Sequence, residues 1–370
     1  MQITIEKSAI AKTLSHLYRI VEKKSTIPVL SNIKVEAGKT LRLTATNVDL
    51  EIVEELEANV AKPGSTTIPA HVLYDIVRKL PEGDMEIKTS ADGAQVVLRA
   101  GNSEFTLPSL PIDDFPLMAS TSMPFKFTLA NDDLVKLIDR TKFAVSTEET
   151  RYFLNGIYLH TLEKGKKELL RAVATDGHRL ARQDIAMPAD AKGMPAVIIP
   201  RKVVTELRAL LEDTSADVTV EISETKARFT FGAATLTSKL IDGKFPDYEK
   251  VIPTSNDKKV EVDCKLFSEA VDRVSSVSYE KTKAIKLKLA KSKLTLFAST
   301  PDSGSAFEDL EIAYDETPLE IGFNSKYLLD IADQIEGKFM RFVISDAASP
   351  AIITELDDDS AVYVLMPMRI

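Results

Sequence analysis

A pattern of a strand followed by a helix appears near the start of the chain and returns twice at nearly constant spacing. Ile3 and Ile5 alternate as in a strand, and Ile10, Leu14 and Leu17 then recur at helical spacing. Shifted by 124 residues the same positions are Phe127, Leu129, Leu134, Ile138 and Thr141, and shifted by 257 they are Val260, Val262, Phe267, Val271 and Val274. The chain is therefore predicted to contain three copies of one structural unit.

A second strand-helix step also occurs three times. Ile68, Val72, Ile76 and Leu80 match Ile199, Val203, Leu207 and Leu211 at +131, and Phe323, Tyr327, Ile331 and Ile335 at +255. In the first copy, period-two alternation and turn residues predict strands at 27–30, 32–36, 41–45, 50–54 and 65–69, then at 85–88, 95–99 and 104–107. The order βαβββ, given twice in each copy, predicts an α+β fold.

The length of 370 residues is enough for two or three domains with a core each, and the repeat favours three. Polar, turn-rich stretches at 118–124 and 252–257 are the predicted linkers. The expected domains are therefore 1–124, 125–255 and 256–370. Such copies can fold as independent beads, or they can close into a ring that a three-domain chain completes as a dimer.

Composition excludes several classes of protein. With 44% apolar and 28% charged residues the chain is typical of a soluble globular protein, and it has neither a bilayer-length apolar run nor a signal-peptide pattern, so we expect a cytoplasmic protein without a membrane partner. The net charge of −9 argues against nucleic-acid binding over the whole surface but not against a local basic surface. Cys264, the single cysteine, excludes an intramolecular disulfide and a cysteine-clustered zinc site, and we expect it to be a small packed side chain.

Motifs for catalysis are weak, and neither a cofactor nor a metal is predicted. Gly38-Lys39-Thr40 lacks the first glycine of a phosphate-binding loop and is better explained as a hairpin turn. His16 and His71 are predicted on the solvent side of helices. Asp176-Gly177-His178 has the residues of an acid-base pair, but a tight turn between strands explains it as well. A hydrolase using Asp176 and His178 therefore stays open as an alternative, although no third catalytic group is found.

Charge on the six predicted helices differs in sign from that of the remainder. Over 8–20, 70–80, 132–143, 201–212, 265–275 and 325–336 there are 13 Lys/Arg and 11 Asp/Glu, a net +2, which leaves −11 for the rest. This direction is expected for helices that face phosphates, although a solvated face of mixed charge explains so small an excess equally well. The candidates for phosphate contact are Lys12, Lys24, Lys136, Arg140, Arg201, Lys202 and Arg273.

Four motifs, in order, carry a family resemblance over the full length. They are Arg151-Tyr-Phe-Leu-Asn-Gly156, Ala174-Thr-Asp-Gly-His-Arg-Leu-Ala181, Gly243-Lys-Phe-Pro-Asp-Tyr248 and Tyr363-Val-Leu-Met-Pro-Met-Arg-Ile370. With these motifs the chain resembles the bacterial DNA polymerase III beta subunit family, the sliding clamps. The resemblance implies no catalytic residue, and it adds Tyr152 of the first motif to the candidates for DNA contact.

The resemblance implies a DNA clamp fold of three similar domains and a head-to-tail homodimer closed into a ring. Helices line the hole, antiparallel sheets lie outside, and duplex DNA passes through without chemical change. Such a clamp acts as a processivity factor, because phosphate contacts carry no sequence information and allow sliding. The implied partners are duplex DNA, the DNA polymerase III catalytic subunit, the clamp loader, and other polymerases and repair proteins with clamp-binding motifs.

The family also implies a peptide-binding groove where the second and third domains meet. From the second domain its residues are Leu154, Thr175, Gly177, His178, Arg179, Leu180, Pro246, Lys250 and Val251, and from the third they are Asn324, Tyr327, Met366, Pro367, Met368 and Arg369. The leucines, Val251 and the two methionines offer an apolar, adaptable pocket. Arg179, Asn324 and Arg369 are expected to supply polar groups to an extended peptide.

Three positions depart from the family pattern. Lys250 replaces a frequent arginine and loses its planar fork, Thr282 stands at a position that is often large and apolar, and Ile370 replaces a common leucine. These departures leave the peptide preference open. A multidomain adaptor that binds peptides but never encircles DNA is the remaining alternative.

Overall fold

The computed structural model describes residues 1–119, 121–278 and 283–369, so Thr282 and Ile370 lie outside the described residues. The first third contains β1 (Gln2–Glu6), α1 (Lys7–Ile20), β2 (Asn32–Ala37), β3 (Leu41–Thr46), β4 (Leu50–Leu56), β5 (Asn59–Lys62), β6 (Gly64–Pro69), α2 (Ala70–Val77), β7 (Asp84–Thr89), β8 (Gln95–Ala100) and β9 (Ser103–Pro108). The middle third contains β10 (Phe125–Leu129), α3 (Asn131–Lys142), β11 (Gly156–Lys164), β12 (Lys167–Thr175), β13 (Arg179–Ala186), β14 (Val197–Pro200), α4 (Arg201–Glu212), β15 (Val218–Ile222), β16 (Lys226–Phe231) and β17 (Ala234–Lys239).

The last third repeats the same order. It contains β18 (Lys258–Asp263), α5 (Cys264–Ser275), β19 (Ala284–Ala290), β20 (Lys293–Thr300), β21 (Gly304–Glu311), β22 (Leu319–Asn324), α6 (Ser325–Ala332), β23 (Phe339–Ile344), β24 (Ala351–Glu355) and β25 (Ala361–Leu365). Apart from the short extra strand β5, the described elements follow βαβββ six times. The predicted α+β fold with two such units per copy is therefore confirmed.

The repeated apolar positions form the core. Ile10, Leu14 and Leu17 of α1 are at most 1% exposed, and their counterparts Phe267 and Val271 of α5 are fully buried. Helix α5 begins where Asp263 accepts a hydrogen bond from the Leu266 amide, which satisfies one of the helix's unpaired donors. Cys264 is buried as expected, and burial raises the pKa of its thiol to about 11.

Three local predictions are wrong. The segment expected as a strand at 27–30 forms the 3-10 helix Pro28–Ser31, because Pro28 at its start is already in helical φ. Helix α2 buries Leu73 and Val77 while Val72 is 47% exposed, so its apolar face lies one residue along from the predicted one. His16 is buried in α1 instead of facing solvent, because two carboxylates satisfy its ring.

The described chain divides into two compact units. The first comprises Met1–Leu134, Pro188–Pro195 and Lys202–Leu240, and the second comprises Val135–Met187, Ala196–Arg201 and Ile241–Ile370. The first contains a five-stranded sheet in the order β5-β1-β7-β8-β9 and an eight-stranded sheet in the order β10-β15-β16-β17-β4-β3-β2-β6. The second contains an eight-stranded sheet in the order β14-β11-β12-β13-β25-β24-β23-β18 and a four-stranded sheet in the order β21-β20-β19-β22.

Antiparallel pairing joins successive repeats inside each unit. In the first unit β4 pairs with β17, with Leu50 opposite Ser238. In the second unit β13 pairs with β25, with Arg179 opposite Leu365. The corresponding strands β21 and β9 each pair on one side only within the described residues. The repeats therefore continue one another's sheets and leave two matching strands at sheet edges.

Candidate peptide groove and basic helix surfaces

The turn between β12 and β13 is a tight, hydrogen-bonded structure. Asp176 Oδ1 accepts hydrogen bonds from the amides of His178 and Arg179 at 2.9 and 3.0 Å, and the Thr175 hydroxyl donates to the Arg179 carbonyl at 2.7 Å. Gly177 has φ +89°, and a Cβ added there would lie 2.7 Å from Nη1 of Arg151. Glycine adopts this left-handed conformation without strain, and a larger residue would have to displace the end of the Arg151 side chain. The Asp176 carboxylate is used to form the turn, as the hairpin interpretation predicts.

Arg179 is a buried structural residue at this turn. Its Nη1 donates to Asp330 and its Nη2 to the Phe143 carbonyl, each at 2.5 Å, and its guanidinium lies over the Tyr327 ring, 4.2 Å from the centroid. Only 8% of the residue is exposed. The expectation that Arg179 offers its polar groups to a peptide is therefore wrong, because these groups already bind α6 and the end of α3. Its planar fork holds Tyr327 in place beside the turn.

The C-terminal tail is held by backbone hydrogen bonds and exposes a methionine. The Met366 amide donates to the His178 carbonyl at 2.9 Å, and the Met368 amide donates to the Gly322 carbonyl at 2.8 Å. Met366 is 41% exposed, Pro367 and Met368 are partly buried, and Arg369 is exposed. The last described residues therefore form an ordered lip beside the turn.

Below the turn lies a continuous apolar cluster. Its buried members are Leu154, Val173, Leu180, Ile198, Phe245, Tyr248 and Val364. At its margin Pro246 and Lys250 are exposed and Val251 is 48% exposed, while Lys250 forms an ion pair with Asp247 at 2.9 Å. Asn324 was expected to offer a polar group to a peptide. Its side-chain oxygen instead caps α6 by accepting a hydrogen bond from the Lys326 amide. Val251 and Met366 are exposed, and each lies close in sequence to a buried member of this cluster, Tyr248 or Val364.

A buried polar network anchors the wall that carries Val251. Arg171 donates two hydrogen bonds to Asp184, at 2.6 and 2.9 Å, and one to the Tyr248 hydroxyl at 3.0 Å. Burial raises the pKa of Tyr248, so its hydroxyl stays neutral. Tyr248 begins the 3-10 helix Tyr248–Val251, which is therefore tied to β12 and β13. Sequence reasoning missed Arg171 and Asp184, although alternating charges on two adjacent predicted strands were a signal for a cross-strand pair.

The candidates for DNA contact differ in how far their side chains are exposed. Lys12, Lys24, Arg201 and Lys202 are exposed, and Tyr152 is 54% exposed. Lys136 pairs with Asp358 at 3.3 Å, and Arg273 pairs with Glu308 at 2.6 Å. Arg140 is only 3% exposed and lies between Glu336 and Glu355, at 3.1 and 3.5 Å. Arg140 is therefore a structural residue and no longer a candidate for phosphate contact.

Within residues 1–119, 121–278 and 283–369, no group of three or more histidine, cysteine, aspartate or glutamate residues is arranged to hold a metal ion. No helix in that part of the chain is long and apolar enough to cross a membrane.

Comparison with known proteins matches the whole chain to one family. Family models of the DNA polymerase III beta subunit match at residues 1–119 for the N-terminal domain, 128–247 for the central domain and 249–369 for the C-terminal domain. The chain belongs to the DNA polymerase III beta subunit family, the beta sliding clamps. The predicted resemblance and the DNA clamp fold of three domains are confirmed.

Individual relatives are similar to this chain over their full length or nearly so. The beta sliding clamp of Caulobacter vibrioides strain NA1000 is 47% identical and that of Escherichia coli strain K12 is 36% identical, each with both chains fully covered. A crystal structure of the Caulobacter crescentus clamp covers this chain fully, with 99% of its own chain matched, 47% identity and a TM-score of 0.98. A Bartonella birtlesii sliding clamp bound to griselimycin is 48% identical, with a TM-score of 0.96 and full coverage of both chains.

Membership of this family establishes the function class. The chain is a non-enzymatic processivity factor of DNA replication whose partners are DNA and the polymerase. The hydrolase alternative is therefore wrong, in agreement with the use of Asp176 in forming the turn. The adaptor that never encircles DNA is likewise set aside.

Proposed function

We propose that the chain encircles duplex DNA as a head-to-tail homodimer and tethers its partners through the groove of the second unit. The partners are the DNA polymerase III catalytic subunit, the clamp loader, and other polymerases and repair proteins that carry a clamp-binding motif. The proposed domains are 1–124, 125–255 and 256–370, and the proposed compartment is the cytoplasm, where replication takes place. The matches of three clamp-domain models along one chain support this assignment.

The observation that carries the groove is an exposed apolar rim beside a buried apolar floor. Met366 and Val251 present 41% and 48% of their surface to solvent, while Leu154, Leu180 and Val364 are buried beneath. A linear peptide with apolar side chains gains from covering such a rim, and methionine adapts to different partners. The exposed His178 and Arg369 supply polar groups at the margin.

Contacts with DNA are assigned to exposed basic side chains. Lys12 on α1, Lys24 in the following loop, and Arg201 and Lys202 at the start of α4 are exposed. Tyr152 adds an aromatic side chain, 54% exposed, from the first family motif. Phosphate contacts from such residues position the duplex without reading its sequence, so the clamp can slide.

Dimer closure is assigned to the two matching edge strands. Because β4 pairs with β17 and β13 with β25, the same rule continued beyond the chain pairs β21 with β9 of a second copy. Phe307 on β21 is 72% exposed, the largest exposure among the large apolar side chains of the described residues. An exposed aromatic on an unpaired edge is typical of an interface between chains.

The groove is tested by binding of a synthetic peptide that matches the C-terminal tail of the polymerase catalytic subunit. Deleting residues 366–370 is expected to abolish binding in a calorimetric titration and to leave the dimer intact. Ile27→Ala, which truncates a side chain that is 49% exposed in the first unit, is the control and should bind normally. Full affinity in the deletion variant would contradict the groove, and loss of the dimer would make the tail structural.

A further inference from the structure

The same position of the repeat carries a cationic or titratable nitrogen side chain in all three copies. His16 on α1 shifts by 124 residues to Arg140 on α3 and by 257 residues to Arg273 on α5. Each lies on the first helix of its copy. Their surroundings show which groups this position binds.

In the first unit His16 bridges two carboxylates. Its Nδ1 lies 2.7 Å from Glu54 Oε1 and its Nε2 lies 2.7 Å from Asp213 Oδ2. Glu54 belongs to β4 of the same copy, whereas Asp213 directly follows α4, the second helix of the next copy. His16 therefore joins a strand of its own copy to the helix end of the next.

In the second unit Arg140 repeats the contact with the next copy. Its Nη2 lies 3.1 Å from Glu336 Oε1, and Glu336 follows α6, the second helix of the third copy. Its other acidic partner, Glu355 at 3.5 Å, lies on β24 and also belongs to the third copy. We call each such contact between successive copies a junction. At both junctions a nitrogen of the first-helix side chain, His16 or Arg140, contacts an acid that follows the second helix of the next copy.

Arg273 has only half of this arrangement. Its Nη2 lies 2.6 Å from Glu308 Oε1 on β21. Glu308 is the counterpart of Glu54. Glu308 on β21 pairs with Leu296 on β20, and Glu54 on β4 pairs with Leu43 on β3, which are the equivalent strands of the third and first copies. The described residues contain no copy after the third, and the Arg273 side chain is 55% exposed. In a head-to-tail dimer the first copy of the partner subunit occupies the position that the next copy has within the chain.

The first copy supplies such an acid at Glu82. Asp213 shifted back by 131 residues, the spacing of the second strand-helix step, is Glu82. Glu82 lies between α2 and β7, its side chain is 70% exposed, and Lys7 Nζ contacts it at 2.6 Å. An exposed carboxylate at this place complements an exposed guanidinium that already has its strand partner.

We propose that Arg273 of one subunit forms an ion pair with Glu82 of the partner subunit and thereby completes a third copy of the junction. The proposal rests on the head-to-tail homodimer. It adds to the pairing of β21 and β9 a charged contact that fixes their register, since opposite charges discriminate among alignments that backbone hydrogen bonds alone allow. The ring then has four internal junctions and two equivalent ones between subunits.

Charge reversal with mixing tests this pair. Arg273→Glu and Glu82→Arg are each expected to raise the dimer dissociation constant at least about tenfold, because both subunit junctions then place like charges together. Mixed in equal amounts, the two variants should form heterodimers, since one junction regains the pair in swapped form and the other has the original residues. Sedimentation of the mixture, with one variant fluorescently labelled, measures this recovery.

Two matched variants control for charge alone. Lys265→Glu on α5 and Asp75→Arg on α2 make the same charge changes at exposed positions outside the junction and should dimerise normally. Weak single variants without recovery in the mixture, or single variants that dimerise like the original chain, would overturn the ion pair. Failure of the unaltered chain to dimerise would instead overturn the proposed homodimer.

Discussion

The amide of Met366 donates to the carbonyl of His178 at 2.9 Å, and the amide of Lys239 makes the same bond with Asp49 at 2.9 Å in the other compact unit. The backbone hydrogen bond beside the groove therefore occurs at the equivalent position of both compact units. The side chains differ, since Val48 takes the place of Gly177 at φ +78° and Leu50 that of Arg179. Peptide binding is thus explained by side chains added to a shared scaffold.

Arg179→Lys is expected to weaken binding of the polymerase-tail peptide about tenfold without any change in the dimer. Lysine keeps the charge but cannot reach Asp330 and the Phe143 carbonyl at once, and Tyr327 loses the planar group beneath it. Calorimetric titration measures the affinity. Arg341→Lys, at a pair with Glu261 on β23, is the control. Equal affinity in both variants would show that Arg179 does not position the groove.

The stabilising effect of His16 is expected to fall as pH rises. Burial lowers the pKa of His16, but its hydrogen bonds with Glu54 and Asp213 outweigh this and raise it above the usual value. A raised folded-state pKa means that the contribution is complete below the unfolded pKa, about 6.5, and is lost as pH rises through the folded value.

Urea denaturation of the original chain and of His16→Gln measures this effect. The loss of unfolding free energy in the variant should be greater at pH 6 than at pH 9, by about 1–2 kcal/mol. His178→Gln, which removes an exposed imidazole, is the control. A loss that is the same at both pH values would mean that His16 contributes by packing alone.

Phe307→Glu is expected to raise the dimer dissociation constant at least about a hundredfold, because a buried aromatic anchor contributes about 2–4 kcal/mol to an interface. The subunit itself should remain folded, since Phe307 is 72% exposed in the single chain. Phe339→Glu, at a phenylalanine that is 38% exposed on β23, is the control. Analytical ultracentrifugation measures the dimer dissociation constant of both variants. An unchanged constant for Phe307→Glu would show that β21 is not at the dimer interface.

Hydrophobic periodicity predicted the repeated architecture because burial of one strand face and one helix stripe is a local property of the sequence. Ile10, Phe267 and Val271 were placed correctly for this reason. Helix α2 was displaced because Val72, Leu73, Ile76 and Val77 are all apolar, so spacing alone did not decide which pair faces the core. The family motifs, and not periodicity, supplied the groove.

The polar partners of His16 and Arg179 could not be predicted, because they come from distant parts of the chain. The carboxylates of His16 lie 38 and 197 residues away, and Arg179 finds Asp330 at a separation of 151. Histidine and arginine are usually found at the protein surface, and here only tertiary contacts allow them to be buried. Arg140 was selected as a phosphate contact for the same reason, since the sequence does not show that Glu336 and Glu355 meet it.

The central claim is topological, and retention on DNA tests it most directly. After loading by the clamp loader, the dimer should stay with closed circular DNA through gel filtration at high salt and leave after one cut makes the DNA linear. A closed ring can leave only over an end, whereas a surface-bound protein follows its phosphate contacts regardless of ends. Equal retention on circular and linear DNA would contradict encirclement.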